Sequence, residues 1–345
     1  MANDSPRILI IRLSAIGDVV RVLPALHVLR ECFPRGQIDW AVEAKSAGIL
    51  MRHPALNEVL VFTRPPGVAA ALREFWGFCR RVRSRRYDIV IDFHGILKSG
   101  LIAGYSGAKT RYGFARPRAR ECSTLFTTHH VRLRSERLNR VEENLALCDP
   151  LCPEHGWPNV TIDVPAETRR SVDQFFEDTF DGGKLVVAMH VPMERDEKRW
   201  PVEHFAALAD MLLADGRFEV LLTWAPGQFD CVEEVVRRTR RHPVVAPETS
   251  DLKQYAWLTH RADLYFGGDT GPMHIAWVMG TPVVAVFGGT DPAKHAPYHV
   301  RHVILHCGDE ASGEGRSVGV QERLRRVTPD MAYEACVRLL TGNGE

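Results

Sequence analysis

The stretch Phe266-Gly-Gly-Asp-Thr-Gly-Pro-Met-His274 decides the reading of this chain. It follows a strand-like run, Ala262 to Phe266, and opens an apolar helix-like run, Ile275 to Met279. Glycines 267, 268 and 271 let the backbone turn tightly and let a ligand come close. Pro272 fits the first position of a helix, where no N–H is needed. The N–H groups of Met273 and His274 then lack intrahelical partners, with the positive end of the helix dipole behind them. Such a turn is a phosphate site, and Thr270 and His274 can add side-chain donors. An ordinary strand-to-helix turn capped by Asp269 or Thr270 has the same pattern.

A second turn of this kind lies near the N-terminus. Arg7 to Leu13 reads as a buried parallel strand, Ser14-Ala-Ile-Gly-Asp-Val19 as the turn, and the run through Phe33 as a helix. Ligands of open α/β sheets sit at the carboxyl ends of strands. Two such turns facing each other across a cleft suggest a two-domain enzyme with a donor on one side and an acceptor on the other.

The pair Arg12-Leu-Ser-Ala-Ile-Gly-Asp18 and Asp269-Thr-Gly-Pro-Met-His274 resembles the lipopolysaccharide heptosyltransferases, glycosyltransferase family 9. Tyr87-Asp-Ile-Val-Ile-Asp-Phe-His-Gly-Ile-Leu-Lys98 is similar to that family's fourth-strand region, and Lys198-Arg-Trp-Pro201 to its lysine motif. Gly280 to Pro292 matches the strand after the phosphate turn. Arg111-Tyr-Gly-Phe114 followed by Ala119-Arg-Glu121 looks most like the branch that adds the first heptose, heptosyltransferase I. The resemblance runs from about residue 7 to about residue 300. It implies a GT-B fold, two Rossmann-like doubly wound domains facing a cleft. It also implies an inverting, hexosyltransferase-type transfer of heptose from ADP-heptose to Kdo-lipid A in inner-core synthesis. A later-heptose or other-sugar transferase of the family is one alternative. A non-catalytic nucleotide-sugar or glycolipid binder is another, and intact Asp18 and Lys198 speak against it.

Length and composition agree. A chain of 345 residues suits two domains, and 45 % apolar with 25 % charged residues is ordinary for a globular protein. Alternating strand-like and helix-like runs argue for doubly wound α/β domains. The proline-rich segment from Pro150 to Pro165 is read as the linker, giving domains 1–160 for the acceptor and 161–345 for the nucleotide sugar. The last helix, near Thr328 to Leu340, is one that such folds often return to the first domain. Residues 308 to 319 read as a mobile loop. No apolar run approaches a membrane span, and the start does not read as a signal peptide. The expected location is cytoplasmic, at the cytoplasmic face of the inner membrane. The eight scattered cysteines are expected to be reduced packing residues. The histidines lack ligand spacing, so no metal and no cofactor are expected.

Net charge is +1 but uneven. Residues 1–165 hold 24 Lys/Arg against 16 Asp/Glu, a balance of +8, and the remainder holds 20 against 27, a balance of −7. The first half therefore suits an acidic partner. Arg80-Arg-Val-Arg-Ser-Arg-Arg86 is its densest run, fitting peripheral contact with an anionic membrane. Nucleic acid is not expected, because no recognition module or basic/aromatic stripe is visible.

Sugar transfer needs a base, positive charge for the leaving diphosphate, and alignment. By motif, Asp18 is the candidate base, ionised near a helix start; a helix cap is its plainer role. Lys198 is the candidate partner of the diphosphate. Gly17, Asp269, Thr270, Gly271, Met273 and His274 are assigned to the donor, with Gln228 near the ribose. Lys98, Arg120 and Arg64 are assigned to the acceptor's carboxylate and phosphates. Each could equally be a plain surface charge. One departure concerns His190-Val-Pro-Met-Glu194, which lacks the small hydroxyl residues of many relatives.

Overall fold

Ile8 to Ile11, Val90 with Ile91, and Val283 to Phe287 are apolar on both faces and almost wholly buried, as central strands of a parallel sheet must be. The computed structural model describes residues 5–192, 198–249, 251–307 and 319–342. Contacts divide the chain into two units, Met1–Asp163 and Val164–Glu345.

The first unit runs β1 (Arg7–Ile11), α1 (Ile16–Val20), α2 (Leu23–Cys32), β2 (Gln37–Glu43), α3 (Ala44–Ala47), β3 (Glu58–Phe62) and α4 (Val68–Ser84). It continues with β4 (Ile89–Asp92), α5 (Leu97–Tyr105), β5 (Thr110–Phe114), a 3₁₀ turn (Ser123–Phe126), β6 (His129–Val131) and α6 (Arg140–Ala146). All strand pairs are parallel, in the order β3-β2-β1-β4-β5-β6. Strand order reverses between β1 and β4, so the crevice for a ligand opens at their carboxyl ends. Leu9, Ile11, Phe62, Phe78 and Val90 share the core on one sheet face.

The second unit repeats this plan. It runs α7 (Ala166–Thr179), β7 (Leu185–His190), α8 (Val202–Asp215), β8 (Phe218–Thr223), α9 (Phe229–Arg238), β9 (Val244–Val245), α10 (Leu252–Arg261) and β10 (Leu264–Gly268). Then come α11 (Gly271–Val278), β11 (Val283–Phe287), α12 (Pro292–His295), β12 (His302–His306), α13 (Val320–Arg326) and α14 (Pro329–Thr341). The parallel order β12-β11-β10-β7-β8-β9 places the reversal between β7 and β10. The final helix α14 lays Ala332, Ala335, Cys336 and Leu339 into the core of this second unit.

Three differences from the sequence reading have plain causes. The single helix expected after β1 is two, α1 and α2, parted at Arg21 and Val22. β6, His-His-Val, is a short strand at the sheet edge with exposed histidines, so no apolar run marks it. Cys32 and Cys152 form a disulfide across 120 residues, which corrects the expectation of eight reduced cysteines. The fold brings their Cα atoms to 6.1 Å, a proximity that linear spacing does not display. No helix among the described residues is long and apolar enough to cross a membrane. The expected mobile loop lies outside the described residues apart from Gly319.

Candidate active site

The first unit's crevice is built from the segments after β1 and β4. Arg12, at the end of β1, donates from Nη1 to the Phe93 carbonyl at 2.8 Å. Its Nη2 pairs with Oδ2 of Asp18, and Nη2 of Arg21 pairs with Oδ1. Asp18 thus lies on α1 between two guanidiniums, both nearly buried, while its own side chain is 31 % exposed. Bonds to both oxygens fix the carboxylate plane. Gly17 is buried beside it.

After β4, the carboxylate of Asp92 shapes the turn. Oδ1 accepts from the N–H groups of His94 and Gly95 at 2.9 and 3.1 Å, and Oδ2 accepts from the Ser99 hydroxyl at 2.9 Å. Burial is the main influence on Asp92 and raises its pKa against those bonds. Gly95 has φ +72°, a conformation that favours glycine. Its carbonyl accepts from Arg120 N–H at 2.8 Å, tying the loop after β5 to this turn. Burial, then Arg12, push His94 down to about 3, so its ring is neutral. Asp18, Lys98 and Arg118 also act on His94, which marks these groups as neighbours.

The acceptor candidates are unequally placed. Lys98 opens α5, with Nζ 2.5 Å from Oε1 of Glu43 and over the Phe62 ring. The Arg120 side chain is exposed beside the Gly95 turn. Arg64 is exposed after β3, an edge strand separated from β1 by β2. The sequence reading passed over Arg118, which is more enclosed. Its Nε lies 2.7 Å from Glu143, whose other guanidinium partner is Arg140 at 2.5 Å. Arg12–Asp18–Arg21 and Arg118–Glu143–Arg140 are therefore two arginine–carboxylate–arginine groups, each with one positive charge in excess. Arg118 interacts electrostatically with both Asp18 and Arg12. Only the i, i+3 spacing of Arg21 from Asp18, and of Glu143 from Arg140, signalled these pairs in sequence.

In the second unit the phosphate turn follows β10. The helix begins at Gly271, so Pro272 is its second residue. His274 N–H donates to the Thr270 carbonyl at 3.4 Å, which corrects the expectation that it is free. Gly271 and Met273 are the first-turn N–H groups without an intrahelical acceptor. None of glycines 267, 268 and 271 is left-handed. Gly267 serves by leaving space, because a Cβ there would stand 2.6 Å from the Tyr265 hydroxyl. Thr270 is the N-cap residue, its hydroxyl 3.4 Å from the Gly268 carbonyl.

His274 is turned inward, 2 % exposed. The Trp277 indole donates to its Nδ1 at 3.0 Å, which in the neutral ring leaves the proton on Nε2, 3.6 Å from Oδ1 of Asp269. Burial opposes the charge on Asp269. His274, then His295 and Thr290, outweigh it and hold the carboxyl below its ordinary value. Gln228 is half-buried at the start of α9. Lys198 is exposed on the segment between β7 and α8, so it and the phosphate turn belong to the two strands flanking the reversal. Behind them His190 is fully buried, with Nδ1 3.0 Å from the Thr223 hydroxyl, and burial pushes it down to about 3. Met193 and Glu194, part of the noted departure, lie outside the described residues. Among the described residues no three His, Cys, Asp or Glu groups converge as a metal site.

This geometry agrees with comparisons to known proteins. The model of glycosyltransferase family 9 (heptosyltransferase) matches residues 75–322. Lipopolysaccharide heptosyltransferase 1 of Escherichia coli K12 is 28 % identical over 337 residues, covering 92 % of this chain and 99 % of the relative. A family 9 glycosyl transferase structure from Veillonella parvula superposes with TM-score 0.85 at 23 % identity, covering 99 % of both chains. The E. coli heptosyltransferase WaaC structure with ADP-2-deoxy-2-fluoro heptose gives TM-score 0.72 at 24 % identity, covering 95 % of this chain and 98 % of that one. The two doubly wound units are those of the GT-B fold, and the chain belongs to glycosyltransferase family 9, the heptosyltransferases.

Proposed function

We propose that the protein adds the first heptose of the lipopolysaccharide inner core, moving it from ADP-heptose to Kdo-lipid A with inversion. The observation that carries this reading is the pair of built crevices. One holds a carboxylate fixed between Arg12 and Arg21, and the other has the turn into α11 after β10, with Lys198 on the segment that follows the neighbouring strand β7. Asp18 takes the proton of the acceptor hydroxyl as that oxygen attacks the anomeric carbon. The bond from that carbon to the ADP oxygen breaks, and the Met273 and Gly271 N–H groups with Lys198 meet the departing charge. Asp269, held by His274, stands at the same turn to orient the donor. Arg118, Arg120 and Lys98 supply cations for the Kdo carboxylate and lipid A phosphates.

A lipid acceptor brings the enzyme to the cytoplasmic face of the inner membrane. The test is turnover with a panel of nucleotide sugars, on Kdo-lipid A and on an acceptor already carrying one heptose. ADP-heptose with Kdo-lipid A should be the fastest pair by at least tenfold. Preference for the heptosylated acceptor would move the enzyme to a later step. Binding without turnover of any pair would reduce it to a carrier of sugar nucleotide or glycolipid.

A further inference from the structure

The basic helix α4 carries an apolar stripe that the fold leaves uncovered. Val68, Leu72 and Trp76 recur every four residues and are 79 %, 55 % and 41 % exposed. Trp76 then joins Leu101, Tyr105, Leu125 and Phe126 in lining a groove of about 370 Å³. Its ring meets Tyr105 edge-on with centroids 5.6 Å apart, and Leu125 is 77 % exposed. Aliphatic side chains grouped so openly mark an interaction surface.

The rim of the groove is positive. Arg83 lies over the Tyr105 ring and lines both this groove and an adjoining hollow with Arg86 and Lys109. The acid of that hollow, Asp88, already accepts from Arg7 N–H at 2.8 Å. From Val68 to Arg86 there are six arginines and one acid, Glu74, itself paired with Arg81. Arg85 is paired with Glu58. Among the described residues Arg83, Arg86 and Lys109 have no carboxylate partner.

We propose that this face docks on an anionic lipid bilayer. The stripe and groove enter the boundary between headgroups and acyl chains, and Arg83, Arg86 and Lys109 lie on the lipid phosphates. The proposal rests on the lipid acceptor of the reading above and adds which face meets the membrane. Tryptophan and tyrosine suit that boundary, where one end of the ring is apolar and the other wet. A helix with an apolar stripe and an arginine-rich remainder lies naturally in such a plane. A second copy is disfavoured, since a two-fold contact would set the same arginines against each other. Nucleic acid would satisfy the arginines and leave the aliphatic stripe in water.

Vesicle flotation of the full-length protein tests the proposal, using phosphatidylcholine alone and phosphatidylcholine mixed with phosphatidylglycerol. The wild type should float with the mixed vesicles at low salt. Leu72→Ser with Leu125→Ser should weaken that binding about tenfold or more. Arg83→Gln with Arg86→Gln and Lys109→Gln should weaken it similarly, with a loss that shrinks as salt rises. Unchanged ADP binding and thermal midpoint show that both variants are folded. Brominated acyl chains should quench the wild type more than Trp76→Phe. Strong wild-type flotation that neither variant weakens overturns this face and leaves a membrane role to other residues. Turnover of detergent-dispersed acceptor without flotation on any vesicle overturns the membrane reading as well. A dimer that Leu72→Ser with Leu125→Ser dissociates gives the stripe to a second copy and overturns docking.

Discussion

At the scale of single residues, the two arginines on Asp18 change what substitution there should do. Asp18→Ala removes the proposed proton acceptor and leaves Arg12 and Arg21 without their shared anion. Turnover should fall by about 10²–10⁴-fold, the usual range for losing a general base. ADP affinity should hardly change, because the phosphate turn belongs to the other unit. Single-turnover kinetics beside ADP titration separate the two effects, and near-normal turnover would return Asp18 to a structural role. Lys198→Ala is expected to act the other way. It should weaken ADP more than adenosine, since the lost contact is to phosphate; equal losses by calorimetry would put Lys198 elsewhere. Asp18, Lys198 and the turn at 269–274 could be named from motif and order alone. The pairs Arg12–Asp18 and Arg118–Glu143 could not, except as charges of opposite sign, because neither spacing is that of helix neighbours and the turns after β1 and β5 set the contacts. Lys98 shows the converse, a cation whose anionic partner, Glu43, lies 55 residues away.

At the scale of elements, strands with apolar residues on both faces were legible, and so were amphipathic helices. What escaped was short or polar. β6 is three residues long at an edge, and α13, Val-Gln-Glu-Arg-Leu-Arg-Arg, buries only Leu324. The carboxyl ends of β4 and β7 also bury histidines, with a consequence for acid stability. His94 and His190 are each pushed down to about 3 by burial, and His27 moves the same way. In the unfolded chain these rings take up protons near pH 6.5. Their contribution is therefore complete above pH 6.5 and declines as pH falls toward 3, by about 1.4 kcal/mol per pH unit for each ring still neutral in the fold. Across the window from pH 6.5 to 5 the depressed histidines lower stability as pH falls, while Asp92, raised by burial, acts the other way. Urea midpoints should fall steadily across that window, and His190→Asn should flatten the decline. A midpoint constant from pH 7 to pH 5 would mean that these rings protonate without cost.

At the scale of the whole molecule, each unit closes its own core and repeats one strand order. The alternation of runs made this duplicate plan readable. It also gives each unit its own reversal point, so under the proposed division of labour acceptor and nucleotide chemistry can be altered separately. The charge follows the same division, +8 on one unit and −7 on the other. A net charge of +1 therefore hides two opposed surfaces. On ion-exchange media near neutral pH the protein should be retained by both sulfonate and quaternary-amine resins at low ionic strength, where neither surface is screened. A molecule with evenly mixed charge and the same total would pass through the anion exchanger. Neutralising Arg83, Arg86 and Lys109 should shorten retention on the sulfonate column and leave the other column unchanged, so chromatography alone can report which unit a charge belongs to.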